Sequence, residues 1–374
     1  MEYISYGRQF IDKEDVDAFV KAMKSDYLTT GPKVKEFEDA LAKYCGVKYV
    51  VAVTNGTAAL HLTSLALLKK NDKVLTTPNS FLATSNSILY AGAKPAFVDI
   101  KQDGNIDLDL CEDELKRDPK IKAIYAVAFS GRMVDQHKLR YLKKTYNVAV
   151  VEDCSHAIGA KYNEIKAGSC INSDCSVFSF HPVKHITTGE GGAITTNSKE
   201  IYEKLLILRT HGMIKTADMQ PWEYEMRELG YNYRITDFQC ALGLSQLKKL
   251  NGFIERRKTI AKKYDKAFAN TNLKPLYQFD EQSSYHLYVV QVDFTKIKIS
   301  KIELFEKMRK KNIGIQLHYM PINKQPYYRS LGYGDESTQV MDKYYKECFS
   351  LPMYPKLTDE EQEYVIDSLF EMLK

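Results

Sequence analysis

Residues 176–196 read Ser-Val-Phe-Ser-Phe-His-Pro-Val-Lys-His-Ile-Thr-Thr-Gly-Glu-Gly-Gly-Ala-Ile-Thr-Thr, and this stretch decides the fold. The pattern predicts a short apolar strand, a loop, a glycine-rich turn and a second strand. The loop carries one lysine, Lys184, among small residues that let another molecule come close. A lysine in a mostly apolar loop loses hydration, so its neutral amine becomes available as a nucleophile. Because a lone lysine is more often an exposed turn residue, this interpretation depends on a pocket supplied by the rest of the chain.

The composition of the 374-residue chain limits the classes of protein to consider. Its length and its 44% hydrophobic content predict two domains rather than one. The net charge of +5 is spread without a basic run, which argues against binding to nucleic acid or to an anionic membrane surface. No apolar run approaches the roughly 18 residues that a membrane span needs.

The cysteines and the first residues bear on location. The seven cysteines are odd in number and scattered, with no CxxC pair. This usage is typical of a reducing cytoplasm and argues against a zinc site or a disulfide framework. Met1-Glu-Tyr-Ile-Ser lacks the basic and then apolar layout of a signal peptide. The sequence therefore predicts a cytoplasmic protein with no metal site.

Strand and helix patterns alternate through the first part of the chain. From residue 48 to residue 151, short apolar strands are separated by helices of roughly ten to fifteen residues. This alternation predicts an α/β fold whose mostly parallel sheet is buried between helices, with ligands at the carboxyl ends of the strands. Further on, the patterns predict helices at 236–250, 252–269, 300–311 and 359–373 and strands at 285–292 and 313–317. We predict a large domain over residues 1–250, with an N-terminal arm over 1–30, and a smaller α+β domain over 251–374.

Two features at predicted strand ends carry polar groups. Residues 54–62 read Thr-Asn-Gly-Thr-Ala-Ala-Leu-His-Leu, a glycine turn that opens a helix with Thr57 as the predicted N-cap. Free amides at a helix start make a candidate phosphate site, although the same sequence is also an ordinary cap. A second strand ends at Asp153, with His156 three residues later. Taken alone, this feature favours a functional carboxylate hardly more than it favours a simple cap, in which Asp153 only stabilises the following turn.

Two further features complete the set. Ser179 interrupts an apolar strand five residues before Lys184, and its hydroxyl needs a partner if it is buried. Phe81 follows another strand end, where an aromatic residue is more often part of the core. Together, a lysine amine, a carboxylate, a phosphate cradle and an aromatic plate are the parts that a pyridoxal phosphate site requires. Each part is a weak signal, but their joint spacing across one α/β domain predicts this cofactor.

The chain resembles the DegT/DnrJ/EryC1/StrS family of sugar aminotransferases over essentially its whole length. The resemblance is carried by Leu28-Thr-Thr-Gly31, Asn55-Gly-Thr-Ala-Ala-Leu60, Glu152-Asp-Cys-Ser-His-Ala157, Phe178-Ser-Phe-His-Pro-Val-Lys184, Gly189-Glu-Gly-Gly192, Gly230-Tyr-Asn-Tyr-Arg234, His286-Leu-Tyr288 and Ser350-Leu-Pro352. It implies a fold-type I pyridoxal phosphate-dependent transferase. It also implies a homodimer whose subunits share their active sites.

The resemblance also implies roles for individual residues. Lys184 would bond to the cofactor, Asp153 would meet its pyridine nitrogen, and His156 would lie beside its ring hydroxyl, where many relatives have glutamine. Phe81 would stack on the ring, and Asn232 would reach the phosphate from the neighbouring subunit. The remaining phosphate-binding residues would be Gly56, Thr57, Ala58 and Ser179.

A closer similarity links the chain to the pseudaminic acid branch of this family. It rests on Phe178-Ser-Phe-His181, His211-Gly-Met-Ile-Lys215, Ala241-Leu-Gly-Leu-Ser-Gln-Leu247 and Gln316-Leu-His-Tyr319. The implied reaction moves an amino group from L-glutamate to C4 of a UDP-linked 2-acetamido-2,6-dideoxy-4-ketohexose, in a pathway that supplies flagellin glycosylation. The implied substrate-binding residues are Tyr6, Asp26, Tyr27, Leu28, Thr29, Gln316, Leu317, His318 and Tyr319.

Several alternatives compete with this interpretation. Another nucleotide-linked ketosugar, carried by UDP or dTDP, remains open. A sugar dehydratase of the same family would have histidine in place of Lys184. A zinc site at His181 and His185 is disfavoured, since Pro182 opposes the helix that this spacing needs. A dehydrogenase would need a G-x-G-x-x-G after the first strand. A non-catalytic relative would be expected to lack Lys184, Asp153 or Ser179, and all three are present.

Overall fold

The structure, a computed structural model, describes residues 2–373. Met1 and Lys374, the outermost positions of the two predicted domains, lie outside the described residues. The helices are α1 Lys13–Met23, α2 Pro32–Cys45, α3 Gly56–Leu67, α4 Ala83–Tyr90, α5 Leu108–Arg117, α6 Gln136–Tyr146, α7 Lys199–Arg209, α8 Asp237–Phe268, α9 Lys301–Lys310, α10 Pro326–Ser330, α11 Gln339–Glu347 and α12 Asp359–Leu373. The strands are β1 Tyr49–Val53, β2 Lys73–Thr76, β3 Lys94–Phe97, β4 Ile121–Val127, β5 Ala149–Asp153, β6 Lys161–Tyr162, β7 Ile165–Lys166, β8 Cys175–Ser179, β9 Gly192–Thr196, β10 Met213–Ile214, β11 Glu225–Met226, β12 Lys274–Pro275, β13 Tyr288–Gln291 and β14 Cys348–Leu351.

A seven-stranded sheet in the order β1-β9-β8-β5-β4-β2-β3 forms the centre of the fold. Strand β9 runs antiparallel to both of its neighbours, and the other pairs are parallel. Alternate residues of β1 enter different cores: Val51 packs in the cluster with α3 and α7, whereas Val50 packs in the cluster with α2 and α8. Helices therefore cover both faces, and the predicted mostly parallel α/β fold is confirmed.

The parallel strands direct their carboxyl ends to one edge of the sheet. The loops after β1, β2, β5 and β8 begin there, and these are the loops that carry the predicted site residues. The arrangement follows from parallel pairing, because every strand must be followed by a connection that starts at the same edge. Residues that are distant in the sequence are brought together in this way.

The start of α3 differs from the prediction. The N-cap is Asn55 rather than Thr57, since the Asn55 side chain accepts a hydrogen bond from the Ala58 amide at 2.8 Å. The helix begins at Gly56, and Thr57 is exposed within its first turn. An asparagine is at least as good a cap as a threonine, so the earlier of the two polar residues takes the position. The hydroxyl of Thr57 is thereby left for another partner.

The two helices predicted at 236–250 and 252–269 are one continuous helix, α8, of 32 residues. Gly252 is exposed and does not break it, because a glycine in a helix interior costs only about 1 kcal/mol. Phe253 and Ile254 pack in the core of the large sheet, whereas Ile260 and Tyr264 pack in the core of the C-terminal region. The predicted boundary between residues 250 and 251 therefore falls inside a helix that contributes to both cores. The division into two domains stays a prediction.

The C-terminal region contains a three-stranded antiparallel sheet, β12-β13-β14. The strand predicted at 313–317 is wrong: Ile313 forms an isolated bridge with Ile4, and Gln316 forms another with Ser350. This segment meets two different partners, so it cannot form a ladder with either. The bridge between Gln316 and Ser350 holds the first residue of the segment 316–319 against strand β14.

Two chain-wide observations concern cysteines and membranes. All seven cysteines are buried and free. Within residues 2–373, no helix has the length and apolar character to cross a membrane.

Candidate active site

A cavity of about 1010 Å³ lies at the carboxyl edge of the sheet. Thirteen residues predicted for the site line it: Tyr6, Gly56, Thr57, Ala58, Phe81, Asp153, His156, Ser179, Lys184, Gln316, Leu317, His318 and Tyr319. A smaller cavity of about 260 Å³, near Lys101 and Arg132, contains none of the predicted residues. The fold thus brings most of the predicted site into one space.

Lys184 lies in the loop that follows β8, and its side chain borders the cavity. The loop turns tightly there, since the Lys184 amide donates to the carbonyl of His181 at 2.9 Å. Within the described residues the Lys184 side chain has no ion pair. Burial lowers the pKa of its amine to about 8, and the carboxylate of Asp153 acts in the opposite direction. An appreciable fraction of the amine is therefore neutral near neutral pH, as a nucleophile requires.

Asp153 is the last residue of β5 and is held from two sides. Its Oδ1 accepts from the Ser155 amide at 3.0 Å, and its Oδ2 accepts from the Thr84 hydroxyl at 2.7 Å. Thr84 is in turn 2.8 Å from Ser80. Each carboxylate oxygen can accept a second hydrogen bond, so Asp153 retains the capacity to meet a protonated ring nitrogen. Sequence reasoning missed Ser80 and Thr84: residues 76–84 were singled out for the aromatic ring of Phe81, and no role was given to the hydroxyls on either side of it.

The first turn of α3 and the end of β8 form a cradle without room for side chains. A Cβ atom on Gly192 would lie 2.5 Å from the Asn55 carbonyl oxygen, and one on Gly56 would lie 2.9 Å from the Ser179 Cβ. The Ala58 amide donates to the Asn55 side chain, whereas the amides of Gly56 and Thr57 have no intrahelical acceptor, and the helix dipole favours an anion at this end. Ser179 is half-buried, and its hydroxyl has no hydrogen-bond partner among residues 2–373. This combination suits a phosphate group.

His156 lies in the loop after β5 and meets the C-terminal region. Its Nε2 is 3.2 Å from the hydroxyl of Tyr319, and its Nδ1 is buried without a partner in the described part of the chain. Burial keeps the pKa of His156 well below its ordinary value, and the charge of Lys184 adds to this effect. His156 is therefore a neutral imidazole that borders the cavity.

The wall opposite the sheet comes from residues 316–319 and the N-terminal arm. His318 is fixed by Ser350, whose hydroxyl is 2.8 Å from Nδ1, and its ring centroid is 5.3 Å from that of Tyr6. Burial lowers the pKa of His318 to about 3. Phe81 is 59% exposed, with its ring centroid 6.3 Å from that of Tyr319. An exposed aromatic ring beside a cavity is available for stacking on a flat ligand.

Five predicted residues do not line this cavity in the single chain. The Asp26–Thr29 loop is exposed on the surface, where Leu28 accepts a hydrogen bond from the Asp237 amide at 3.0 Å. Asn232 is also exposed and forms an isolated bridge with Thr210. Their roles in the site stay predictions. Further residues that line the cavity but were not assigned to it from the sequence are Asn55, Leu60, Ser80, Ala83, Thr84, Tyr90, Val127, Ser155, His181, Val183, Glu190 and Tyr233.

Pyridoxal phosphate fits the groups that are present. A half-buried amine with a lowered pKa can bond to its aldehyde, Asp153 can accept from its ring nitrogen, and the glycine-lined helix start can take its phosphate. The hydroxyl of Ser179, which has no partner among residues 2–373, is a polar group that a bound ligand would satisfy. Among the described residues there is no group of three or more His, Cys, Asp or Glu side chains that could bind a metal ion. The fold and the site thus define a pyridoxal phosphate-dependent transferase.

Comparisons with known proteins give the family. The chain belongs to the DegT/DnrJ/EryC1/StrS aminotransferase family, which matches residues 9–370. It is 43% identical over 374 residues to the UDP-4-amino-4,6-dideoxy-N-acetyl-beta-L-altrosamine transaminase of Campylobacter jejuni subsp. jejuni serotype O:23/36 (strain 81-176), covering 99% of this chain and 98% of that protein. The predicted family and the predicted aminotransferase class are confirmed.

Solved structures show the same likeness. Helicobacter pylori PseC, an aminotransferase involved in the biosynthesis of pseudoaminic acid, superposes with a TM-score of 0.93 at 33% identity, covering 100% of this chain and 99% of that one. The putative sugar aminotransferase Spr1654 from Streptococcus pneumoniae, in its PMP-form, has a TM-score of 0.91 at 30% identity, covering 99% and 98%. A PLP-form of the same Streptococcus protein has a TM-score of 0.89 at 29% identity, covering 100% of both chains. The predicted cofactor is confirmed by these findings.

Proposed function

We propose that this aminotransferase moves an amino group from L-glutamate to C4 of a UDP-linked 2-acetamido-2,6-dideoxy-4-ketohexose, giving UDP-4-amino-4,6-dideoxy-N-acetyl-β-L-altrosamine in pseudaminic acid biosynthesis. The observation that carries the substrate is the 43% identity, over nearly the whole length of both chains, to a protein that bears this product in its name. The geometry supports the reaction type, since one amine of lowered pKa faces a cavity of about 1010 Å³. A cavity of this size is large enough for a cofactor with a sugar beside it.

Each polar residue has a distinct task in this proposal. When bound, the cofactor would supply an aldehyde that carries the amino group between donor and acceptor, and a ring that withdraws electrons. Asp153 keeps the ring nitrogen protonated, and the start of α3 with Ser179 anchors the phosphate. Lys184 removes the proton from the α-carbon of glutamate and later returns a proton to C4 of the sugar. One amine can act as both base and acid only if its pKa lies near the working pH, which the pKa of about 8 satisfies.

We infer that the active unit is a homodimer with shared sites. The exposed Asn232 and the exposed Asp26–Thr29 loop belong to the predicted site, yet neither reaches the cavity of its own chain. Two large apolar side chains that shortly precede Asn232 in the chain are also exposed, Trp222 to 76% and Leu229 to 75%. Burial of such side chains against a partner is a common feature of protein interfaces.

A complementation experiment tests the shared site. Lys184→Ala and Asn232→Ala homodimers are assayed separately at limiting cofactor and after exchange of subunits. If Asn232 acts across the interface, half of the random dimers are mixed and each has one intact site, so activity returns to about one quarter of wild type. If both residues act within one chain, mixing restores no activity, and that result contradicts the proposal.

We also infer a cytoplasmic location. The seven buried, free cysteines support it, because secreted proteins tend to pair their cysteines. Fractionation of the native cell tests this inference, and recovery of the protein outside the cytoplasm would contradict it.

The substrate is tested with a small panel of nucleotide-linked 4-ketosugars. The purified enzyme, pyridoxal phosphate and L-glutamate are incubated with UDP-linked and dTDP-linked acceptors, and kcat/KM is measured for each. The proposal requires the UDP-linked 2-acetamido-2,6-dideoxy-4-ketohexose to be preferred. Preference for a dTDP-sugar would instead favour the second candidate, amination of another ketosugar. Loss of a hydroxyl without gain of nitrogen would indicate a dehydratase.

A further inference from the structure

Three histidines form a buried column behind the cavity. The ring centroids of His156 and His286 are 4.3 Å apart, and those of His286 and His185 are 5.4 Å apart. Of these three residues, only His156 borders the cavity. His156 and His286 are each 4% exposed, and His185 is 2% exposed. Their Nδ1 atoms are all buried without a partner within residues 2–373. Since no metal-binding group exists among the described residues, the column has another explanation.

Residues 284–286, which we call the support segment, contact both loops of the active site. The Ser284 hydroxyl donates to the carbonyl of His156 at 3.3 Å, and the Ser284 carbonyl accepts from Nε2 of His185 at 2.9 Å. His185 directly follows Lys184 in the chain. The support segment thus contacts both the loop of His156, which borders the cavity, and the loop of Lys184.

The support segment is itself fixed tightly. Arg257, which is 0% exposed, donates through one nitrogen to the carbonyls of Tyr285 at 3.3 Å and His286 at 3.1 Å. Tyr285 has φ +49°, a conformation that a bulky residue adopts only when its surroundings impose it. A Cβ on Gly131 would lie 2.7 Å from the Tyr285 nitrogen, so the close approach requires glycine there. Such a constrained segment can orient a side chain with precision.

We propose that His286 is a positioning residue that acts through His156. Its ring, which does not border the cavity, lies 4.3 Å from the ring of His156 and keeps that ring turned so that Nε2 meets the Tyr319 hydroxyl. The positioning role of His286 depends on the proposed function only in that the reaction it assists is the proposed amino transfer. Positioning by a packed neighbour is effective because a small misplacement of a reacting group costs much of its contribution.

The electrostatic surroundings of His286 are consistent with this task. The titratable groups that face it are His156, Lys184, His185 and Arg257. Burial and these neighbours hold the pKa of His286 well below its ordinary value. A neutral ring contributes shape rather than charge, so an uncharged aromatic ring of similar size should replace it.

The test is a double-mutant cycle between His286 and His156. His286→Gln removes the ring while keeping volume and polarity, and His286→Phe keeps a ring. We expect His286→Gln to lower kcat about tenfold with KM for the sugar little changed, and His286→Phe to remain within about twofold of wild type. In a His156→Ala background, His286→Gln should cause no further loss.

A spectral readout separates this proposal from the proposed function. The visible absorbance of the enzyme with bound pyridoxal phosphate is titrated with pH, without any sugar. His286→Gln should shift this titration in the same direction as His156→Ala, and His286→Phe should not. Equal losses from His286→Gln in both backgrounds, or an unchanged titration with only a lower melting temperature, would overturn the positioning role. Failure to aminate the UDP-sugar, with the spectral result intact, would refute the substrate alone.

Discussion

Lys184 in the cofactor-free protein should react with pyridoxal phosphate with a pH midpoint near 8. Burial lowers the pKa of its amine from the ordinary 10.5 to about 8. Only the neutral amine attacks an aldehyde, and at pH 7 its neutral fraction is about one in ten rather than about one in three thousand, an increase of about 300-fold. The sign follows from deprotonation: the rate rises as pH increases through the pKa and is constant above it.

The carboxylate of Asp153 provides the matched control. It favours the charged form of Lys184 and thus raises the pKa that burial lowers. Asp153→Asn removes this charge with almost no change in shape. The midpoint for Lys184 should therefore move to lower pH in that variant.

The assay measures capture of the cofactor at this one residue. Cofactor-free protein is mixed briefly with pyridoxal phosphate at a series of pH values, reduced with borohydride and digested, and the modified Lys184 peptide is quantified by mass spectrometry. The exposed Lys24 serves as an internal reference in the same digest. A midpoint for Lys184 equal to that of Lys24, or an identical midpoint in Asp153→Asn, would refute the reasoning.

The remaining predictions concern the cradle and the lysine. Gly192→Ala should lower the free energy of unfolding by about 1–3 kcal/mol and weaken cofactor binding, because its Cβ would lie 2.5 Å from the Asn55 carbonyl oxygen. Gly252→Ala is the matched control: with no atom within 4 Å of the new Cβ in an exposed helix position, it should raise stability by up to about 1 kcal/mol without affecting activity. Chemical denaturation measures the stability of the two variants, and cofactor titration measures their affinity for pyridoxal phosphate. Equal changes in Gly192→Ala and Gly252→Ala would contradict the prediction. Ser179→Ala should weaken cofactor binding about 10- to 100-fold by removing one hydrogen bond to a charged phosphate, as a titration would show, and unchanged affinity would exclude this contact. Lys184→Ala should still bind pyridoxamine phosphate but lack the visible band of the lysine-bound cofactor, and an intact band would reject the assignment.

Site residues that lie at the end of a strand, or in the loop directly after it, were predictable from the sequence. Asp153 and Ser179 each end a short apolar strand, and Lys184 follows in a glycine-rich loop, so the rule that ligands bind at the carboxyl ends of parallel strands places them together. Their chemical types then define the cofactor. These predictions needed only local pattern and one general rule of topology.

Features that depend on distant packing were not predictable. Thr84 in helix α4 donates a hydrogen bond to Asp153 at the end of strand β5, and no local signal marks Thr84 as a site residue. The continuity of α8 through Gly252 depends on Phe253 and Ile254 being buried against other elements. Likewise, the contact of His286 with His156 joins residues that are 130 positions apart in the sequence. Local propensity is a weak guide wherever tertiary contacts supply most of the stabilising energy.

Transfer of labelled nitrogen tests the central claim most directly. The enzyme with pyridoxal phosphate is incubated with L-glutamate labelled in its amino nitrogen and with the UDP-linked 2-acetamido-2,6-dideoxy-4-ketohexose, and the sugar nucleotide is analysed by mass spectrometry. We predict that the label appears at C4 of the sugar with the wild-type enzyme and is absent with Lys184→Ala. An unlabelled sugar with the wild-type enzyme, or equal labelling by Lys184→Ala, would contradict the account.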